Sequence, residues 1–238
     1  MLKYKRILFK VSGESLMGGN AFGHDMEALQ KTCKEIVDIY NLGAQISIVV
    51  GGGNIFRGVQ VSTEVMDRVS ADYMGMLATV MNGIAIQATL ERMGIPTRMQ
   101  SAIEMNKICE PYIMRKAINH LEHDRIVIFS SGLGSPFFTT DTASILRASE
   151  MRCDVVLKGT KVDGVYDKDP MKYPDAVRYD KMSFDEAIQK NVKVMDPTAL
   201  TLARDNNMPI LVFKIGEKDA FTNVLQGKGK YTIITKDV

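Results

Sequence analysis

Arg6-Ile7-Leu8-Phe9-Lys10-Val11-Ser12-Gly13-Glu14, then Gln45-Ile46-Ser47-Ile48-Val49-Val50-Gly51-Gly52-Gly53-Asn54, with a helical pattern over Met26–Leu42 between them, decide the fold. Each run before its glycines is almost continuously apolar and β-branched, as in strands covered on both faces. Leu29, Cys33, Ile36, Val37 and Tyr40 recur at helical spacing, and Gly43 stands where a helix ends. The opening is therefore a βαβ unit, which requires a parallel pair.

Three further runs, Arg125–Phe129, Asp154–Leu157 and Ile210–Phe213, extend the pattern, and Tyr231–Thr235 can add a final edge strand. A long helical region from about Ser62 to Met93 carries a broad apolar face. That face suits either core packing or a subunit interface. Ser183-Phe184-Asp185-Glu186 is a capping box and Asp196-Pro197 a second helix start, predicting helices near Ser183–Lys190 and Pro197–Asn206. No linker or repeat interrupts the chain, so 1–238 reads as one α/β domain with two lobes, about 1–150 and 151–238.

The chain has 238 residues, 45% of them apolar, and 30 Lys+Arg against 28 Asp+Glu, dispersed rather than clustered. That balance excludes disorder and offers no surface specialised for nucleic acid or membrane. Cys33, Cys109 and Cys153 are odd in number and unpaired by motif, which suits a reducing compartment and neither disulfide nor zinc. His120 and His123 sit among charges and read as a solvated helix end. No signal peptide and no apolar stretch of about 18 residues is evident, so the protein is expected to be cytoplasmic.

Ligands of open α/β sheets bind at the carboxyl ends of the strands, where this chain places its glycines. Lys10 stands at the end of a buried strand, where it either meets an anion or snorkels to water; Gly13 lets backbone N–H groups approach that anion. Gly51, Gly52 and Gly53 bring no packing area, so their benefit lies in backbone shape, a phosphate nest or a flexible turn, with Arg57 near enough to add a charge. Ser131–Asp141 offers N–H donors, hydroxyls, an N-capping acid before a helix Thr142–Met151, and Phe137 and Phe138, which either face a ring-bearing substrate or staple the loop to the core. A second strand-end lysine, Lys158, can converge with Lys10 on one phosphoryl group. Val162-Asp163-Gly164-Val165 reads as a hairpin turn, and Tyr166 either stacks on a base or packs. The chain has neither a G-x-x-x-x-G-K-[ST] P-loop nor the D-F-G and H-R-D signatures of protein kinases.

Lys10–Glu14, Gly51–Gly58, Asp72–Thr79, Pro136–Asp141 and Lys158–Tyr166, five segments in order over nearly the whole chain, together resemble the bacterial UMP kinase family of the amino acid kinase superfamily. The resemblance implies a three-layer αβα sandwich with a mainly parallel central sheet and transfer of the ATP γ-phosphoryl group to UMP in pyrimidine nucleotide synthesis. It implies that Lys10, Val11, Ser12, Gly13, Gly53 and Arg57 bind the ATP phosphates, and Thr160, Tyr166 and Asp169 the adenosine end. Gly52, Asp72, Leu133, Gly134, Ser135, Pro136, Phe137, Phe138, Thr139 and Thr140 would bind UMP. Lys10 and Lys158 would neutralise the moving phosphoryl group and Asp141 would orient them, with Mg²⁺ carried by the nucleotide and no metal ligand from the protein. The family's habits also imply a homohexamer, GTP activation and UTP inhibition, with Gly18, Gly19, Asn20, Ala21, Phe22 and Gly23 in the GTP-responsive region. The basic residues that GTP control uses are only partly matched, since the long helix carries Gln87 and Glu91. Two alternatives share these motifs: a kinase of small carboxylates or carbamate, and a non-catalytic nucleotide- or oxyanion-binding module.

Overall fold

The computed structural model describes residues 2–56, 66–216 and 219–236. The chain runs β1 (Arg6–Val11), α1 (Met26–Asn41), β2 (Gln45–Val50), α2 (Arg68–Arg92), β3 (Thr97–Ser101), β4 (Glu110–Pro111), α3 (Met114–Glu122), β5 (Ile126–Ser130) and α4 (Thr140–Glu150). It continues through β6 (Val155–Thr160), β7 (Val165–Tyr166), β8 (Arg178–Tyr179), β9 (Lys181–Ser183), α5 (Phe184–Gln189), α6 (Pro197–Asp205), β10 (Ile210–Lys214), α7 (Ala220–Leu225) and β11 (Tyr231–Thr235). Nine strands form one sheet, ordered β4-β3-β5-β2-β1-β6-β10-β11-β9. Every pairing in it is parallel except β10 with β11.

Strand alternation sorts the core into two layers. Ile7, Phe9 and Val11 of β1 face α1, α2 and α7, where Phe221 sets its ring edge-on against Phe9 at 4.4 Å and Phe213 at 4.8 Å. Leu8, Val49, Val127 and Val156 face the other way, toward α3, α4, α5 and α6. The expected three-layer α/β sandwich is present. Lys10 and Lys158 share the second face with Leu8 and Val156, so both point toward α4.

Several expectations need correction. Tyr231–Thr235 is not the edge, because Lys181–Ser183 pairs beyond it. Val162–Val165 makes no hairpin: Val165 pairs instead with Tyr179, and its N–H donates to Thr232 Oγ1 at 2.8 Å. The long helix begins at Arg68, because Asp67 caps it by accepting from the Ser70 N–H at 3.0 Å; Ser62 lies outside the described residues. His120 is not solvated. It is 4% exposed, with Nε2 2.9 Å from Glu110 Oε2 and Nδ1 3.1 Å from Arg125. That contact, with Gln100 and Lys116 also on Glu110, outweighs burial and draws the Glu110 carboxyl below its ordinary value.

Among the described residues α2 alone is long and apolar enough by composition to cross a membrane, contrary to the expectation that no stretch would be. Its place in the fold accounts for that composition. Val80, Ile86 and Leu90 enter the core, and Tyr73, Leu77, Met81 and Ile84 form an exposed stripe at helical spacing.

Candidate active site

Lys10 and Lys158 are register partners on adjacent parallel strands, which would leave two ammonium groups side by side at the strand ends. α4 supplies the counter-charge. Asp141 Oδ1 lies 3.0 Å from Lys10 Nζ and Oδ2 2.8 Å from Lys158 Nζ, with all three side chains largely buried. Lys158 also donates to the Val194 carbonyl. Burial pushes the Asp141 carboxyl up, but the two ammonium groups overcome it and hold the group below its ordinary value. Burial likewise draws the Lys158 ammonium down, with Asp141 opposing and Lys10 reinforcing. The cluster keeps one positive charge in excess, suited to an anion arriving at the strand ends.

Asp141 is free for this role because it is not the helix cap. Thr139 caps α4 instead, accepting from the N–H groups of Asp141 at 3.0 Å and Thr142 at 3.4 Å, so the helix starts at Thr140 and the expected acidic cap is corrected. Thr139 Oγ1 in turn donates to Asp196 at 2.5 Å, which ties this loop to the start of α6.

The glycine loops close around the cluster. A Cβ on Gly13 would stand 2.5 Å from Asn54 Oδ1 and 2.9 Å from the Gly53 nitrogen, so the two loops touch backbone to backbone only because Gly13 has no side chain. Gly52 corrects the view that the glycines have no packing role. A Cβ there would lie 2.7 Å from the Gly75 carbonyl and 2.9 Å from Ala78, so α2 presses directly on the loop. Ser12 precedes a short 3₁₀ turn, Gly13–Leu16, without capping it through its side chain. Val11 is buried in the core and its carbonyl accepts the Gly51 N–H at 2.9 Å, so any ligand contact it makes is through backbone. Arg57 lies outside the described residues.

The loop 131–139 is pinned from three sides. The Ser131 N–H donates to Thr79 Oγ1 at 2.7 Å, and Ser131 Oγ lies 2.9 Å from Ser101 Oγ. The Phe137 N–H donates to Asp72 Oδ2 at 2.8 Å. Phe137 is left-handed at φ 72° and 62% exposed, and Phe138 is 50% exposed, so neither ring staples the loop to the core. Leu133 is the loop's apolar anchor, packed against the second core layer. Gly134, at φ 73°, passes so close to Ala102 that a Cβ would meet its carbonyl at 3.0 Å. Ser135 and Pro136 complete the turn, and Thr140 Oγ1 comes within 3.8 Å of where a Gly51 Cβ would stand.

Thr160, Tyr166 and Asp169 line one cavity of about 830 Å³ that begins at Lys158. Sequence reasoning missed residues 190–194 of its lining, which bear no motif. Tyr166 donates to Asp163 Oδ1 at 2.5 Å. Residues 18–22 are exposed, with Phe22 unpacked, and Gly23 ties the segment to the glycine loop by its hydrogen bonds with Asn54. Among the described residues no three His, Cys, Asp or Glu gather to hold a metal.

Known proteins resemble this chain along nearly its whole length. Residues 5–214 match the profile of the Amino acid kinase family. The uridylate kinase of Cereibacter sphaeroides (strain ATCC 17023) is 55% identical over 96% of this chain and 93% of its own, and that of Wolbachia pipientis wMel is 55% identical over 98% and 94%. The crystal structure of UMP kinase from Bacillus anthracis superposes with a TM-score of 0.96 at 38% identity, covering 99% of this chain and 97% of that one. UMP kinase from Ureaplasma parvum gives 0.93, also at 38% identity, over 99% and 100%. With its lysine pair, glycine loops and nine-stranded sheet, the chain belongs to the amino acid kinase family.

Proposed function

We propose that the protein is a UMP kinase, transferring the γ-phosphoryl group of ATP to UMP. The observation that carries the reading is the pair of in-register lysines held on Asp141 beside the glycine loops. A UMP phosphate oxygen attacks the γ-phosphorus in line, the bond to the β–γ bridging oxygen breaks, and ADP leaves as UDP forms. No covalent nucleophile is needed: position and positive charge supply the catalysis. Lys10 and Lys158 receive the developing charge, and Asp141 keeps their ammonium groups aimed.

Val11, Ser12, Gly13 and Gly53, with Arg57, take the ATP phosphates, and the cavity of Thr160, Tyr166 and Asp169 takes the adenosine end. Gly52, Asp72 and the loop 133–140 take UMP, whose ring meets the exposed Phe137 and Phe138. The lobe near 1–150 thus takes UMP and the ATP phosphates, and the lobe near 151–238 takes the adenosine end of ATP. Magnesium enters as part of the Mg-ATP substrate; Asp141, with both oxygens on lysines, offers no carboxylate to hold it as a resident ion. Residues 18–23 form the regulatory region of an enzyme activated by GTP and inhibited by UTP in the cytoplasm.

The test is ADP formation with UMP, CMP, dUMP, acetylglutamate, aspartate and carbamate offered separately. UMP is the expected acceptor; turnover with an acid alone would keep the donor site and discard the acceptor assignment. In the same assay GTP raises the rate at subsaturating ATP, and a flat response removes the regulatory reading.

The exposed α2 stripe is covered by a second copy in a hexamer built from dimers. Leu77 and Met81 stand near its centre, about half exposed. Replacing both with glutamate is expected to shift the sedimentation coefficient to that of a smaller species, because like charges would face each other across a two-fold contact. An unchanged coefficient would move the interface elsewhere.

A further inference from the structure

Beneath the glycine loop lies a buried amide pair that none of the steps above employs. Asn82 projects from the middle of α2 and is fully buried. Its Nδ2 donates to the Gly51 carbonyl at 2.6 Å and to Asn54 Oδ1 at 2.7 Å. Its Oδ1 accepts from Asn54 Nδ2 at 3.1 Å and lies 2.7 Å from His24 Nε2. A backbone carbonyl can only accept, so the Gly51 contact fixes which way the Asn82 amide points. His24 Nε2 must then carry the hydrogen. Asn54 is equally committed: its Nδ2 also donates to the Gly23 carbonyl at 2.8 Å, and its own carbonyl accepts the Gly23 N–H at 2.7 Å.

Both donors and both acceptor positions of Asn82 are thus used, on a side chain with no exposure to solvent. Such a network specifies geometry, since each lost partner leaves a desolvated polar group behind. It reaches the end of β2 through Gly51, the glycine loop through Asn54, and the half-buried Gly23-His24 segment. It also touches the first loop, because Gly13 packs against Asn54 Oδ1. We infer that Asn82 is a positioning residue for phosphoryl transfer, fixing the backbone of residues 51–54 from α2 so that its N–H groups are aimed before the nucleotide arrives, with His24 as the outer tie. The inference rests on the glycine loop being the phosphate site.

The test uses the full chain with Mg-ATP and UMP, comparing Asn82→Ala, Asn54→Ala, their double variant, His24→Ala, Gly53→Ala and, as a control on the same helix, Val80→Ala. Thermal unfolding is recorded for each. Asn82→Ala is expected to lower kcat/KM for ATP about ten-fold or more per folded molecule, a loss typical of disturbed preorganisation. The double variant should cost about as much as the larger single one, as for residues acting as a unit. Val80→Ala, which removes buried apolar volume alone, should lower Tm and leave kcat/KM unchanged. His24→Ala removes one tie and should reduce kcat/KM about two- to five-fold with little change in Tm; it carries the test where Asn82→Ala does not fold.

A folded Asn82→Ala enzyme within about two-fold of wild type overturns the inference, and so does wild-type behaviour of His24→Ala beside an unfolded Asn82→Ala. Gly53→Ala separates the two failures. If it is impaired while Asn82→Ala is not, only the positioning role falls; if it is unimpaired, the phosphate-loop reading falls and takes the inference with it.

Discussion

Exchange of Lys10 for alanine lowers kcat by on the order of 10²-fold or more while changing either KM far less, the pattern left by removing a donor that matters chiefly in the transition state. The geometry supports that split. Lys10 reaches the strand end beside Gly13, and its ammonium is held 3.0 Å from Asp141 Oδ1. In the proposed mechanism ground-state binding draws on many backbone donors as well, whereas the charge that develops during transfer has two lysines to meet it. The fold should survive, because Lys158 still pairs with the Asp141 carboxylate at 2.8 Å. Steady-state kinetics at saturating Mg-ATP and UMP check the prediction, and an unchanged kcat removes Lys10 from the chemistry.

Asp141→Asn should cost stability as well as rate. Removing one partner from a buried ion cluster leaves its counter-charges uncompensated, at about 3–5 kcal/mol, and here two buried ammonium groups would remain in register. The pH dependence follows from the lowered Asp141 pKa. A carboxyl whose native pKa lies below its unfolded value contributes stability that is complete above the ordinary carboxylate range. That contribution is lost as pH falls through the native value. The gap in unfolding free energy between wild type and Asp141→Asn is therefore widest near neutrality and narrows as the pH falls below about 4. Denaturant titrations at a series of pH values test this; a gap independent of pH would mean that the lysines do not hold the carboxylate.

The fold was legible because buried parallel strands advertise themselves as apolar runs before glycine. β1, β2, β5, β6 and β10 all read that way. β3, Thr97-Arg98-Met99-Gln100-Ser101, escaped because most of its residues are polar or charged and their burial depends on neighbours far along the chain. β7, β8 and β9 are too short to show a period. In the site, Lys10 and Lys158 could be singled out because a lysine at the end of a buried strand needs a partner, whereas Asp141 read from the residues only as a helix cap and its place between the lysines came from the resemblance. Asp196 announced itself only as a helix cap, accepting from the Ala199 N–H at 2.9 Å, and its hold on Thr139 and Thr142 is a tertiary fact. The amide pair of Asn54 and Asn82 was likewise invisible, since nothing in their 28-residue separation pairs them. His120 misled because its neighbours in sequence are charged, while its neighbours in space, Glu110 and Arg125, enclose it.

The most direct measurement follows ADP and UDP together by ³¹P NMR after Mg-ATP and UMP are mixed with the purified protein. The account predicts that the two products appear one for one, and that both vanish when UMP is withheld. ADP without UDP would show a water-accepting site, and no turnover at all would make the lysine cluster a binding site without transfer; either result contradicts the assignment of this chain as a UMP kinase.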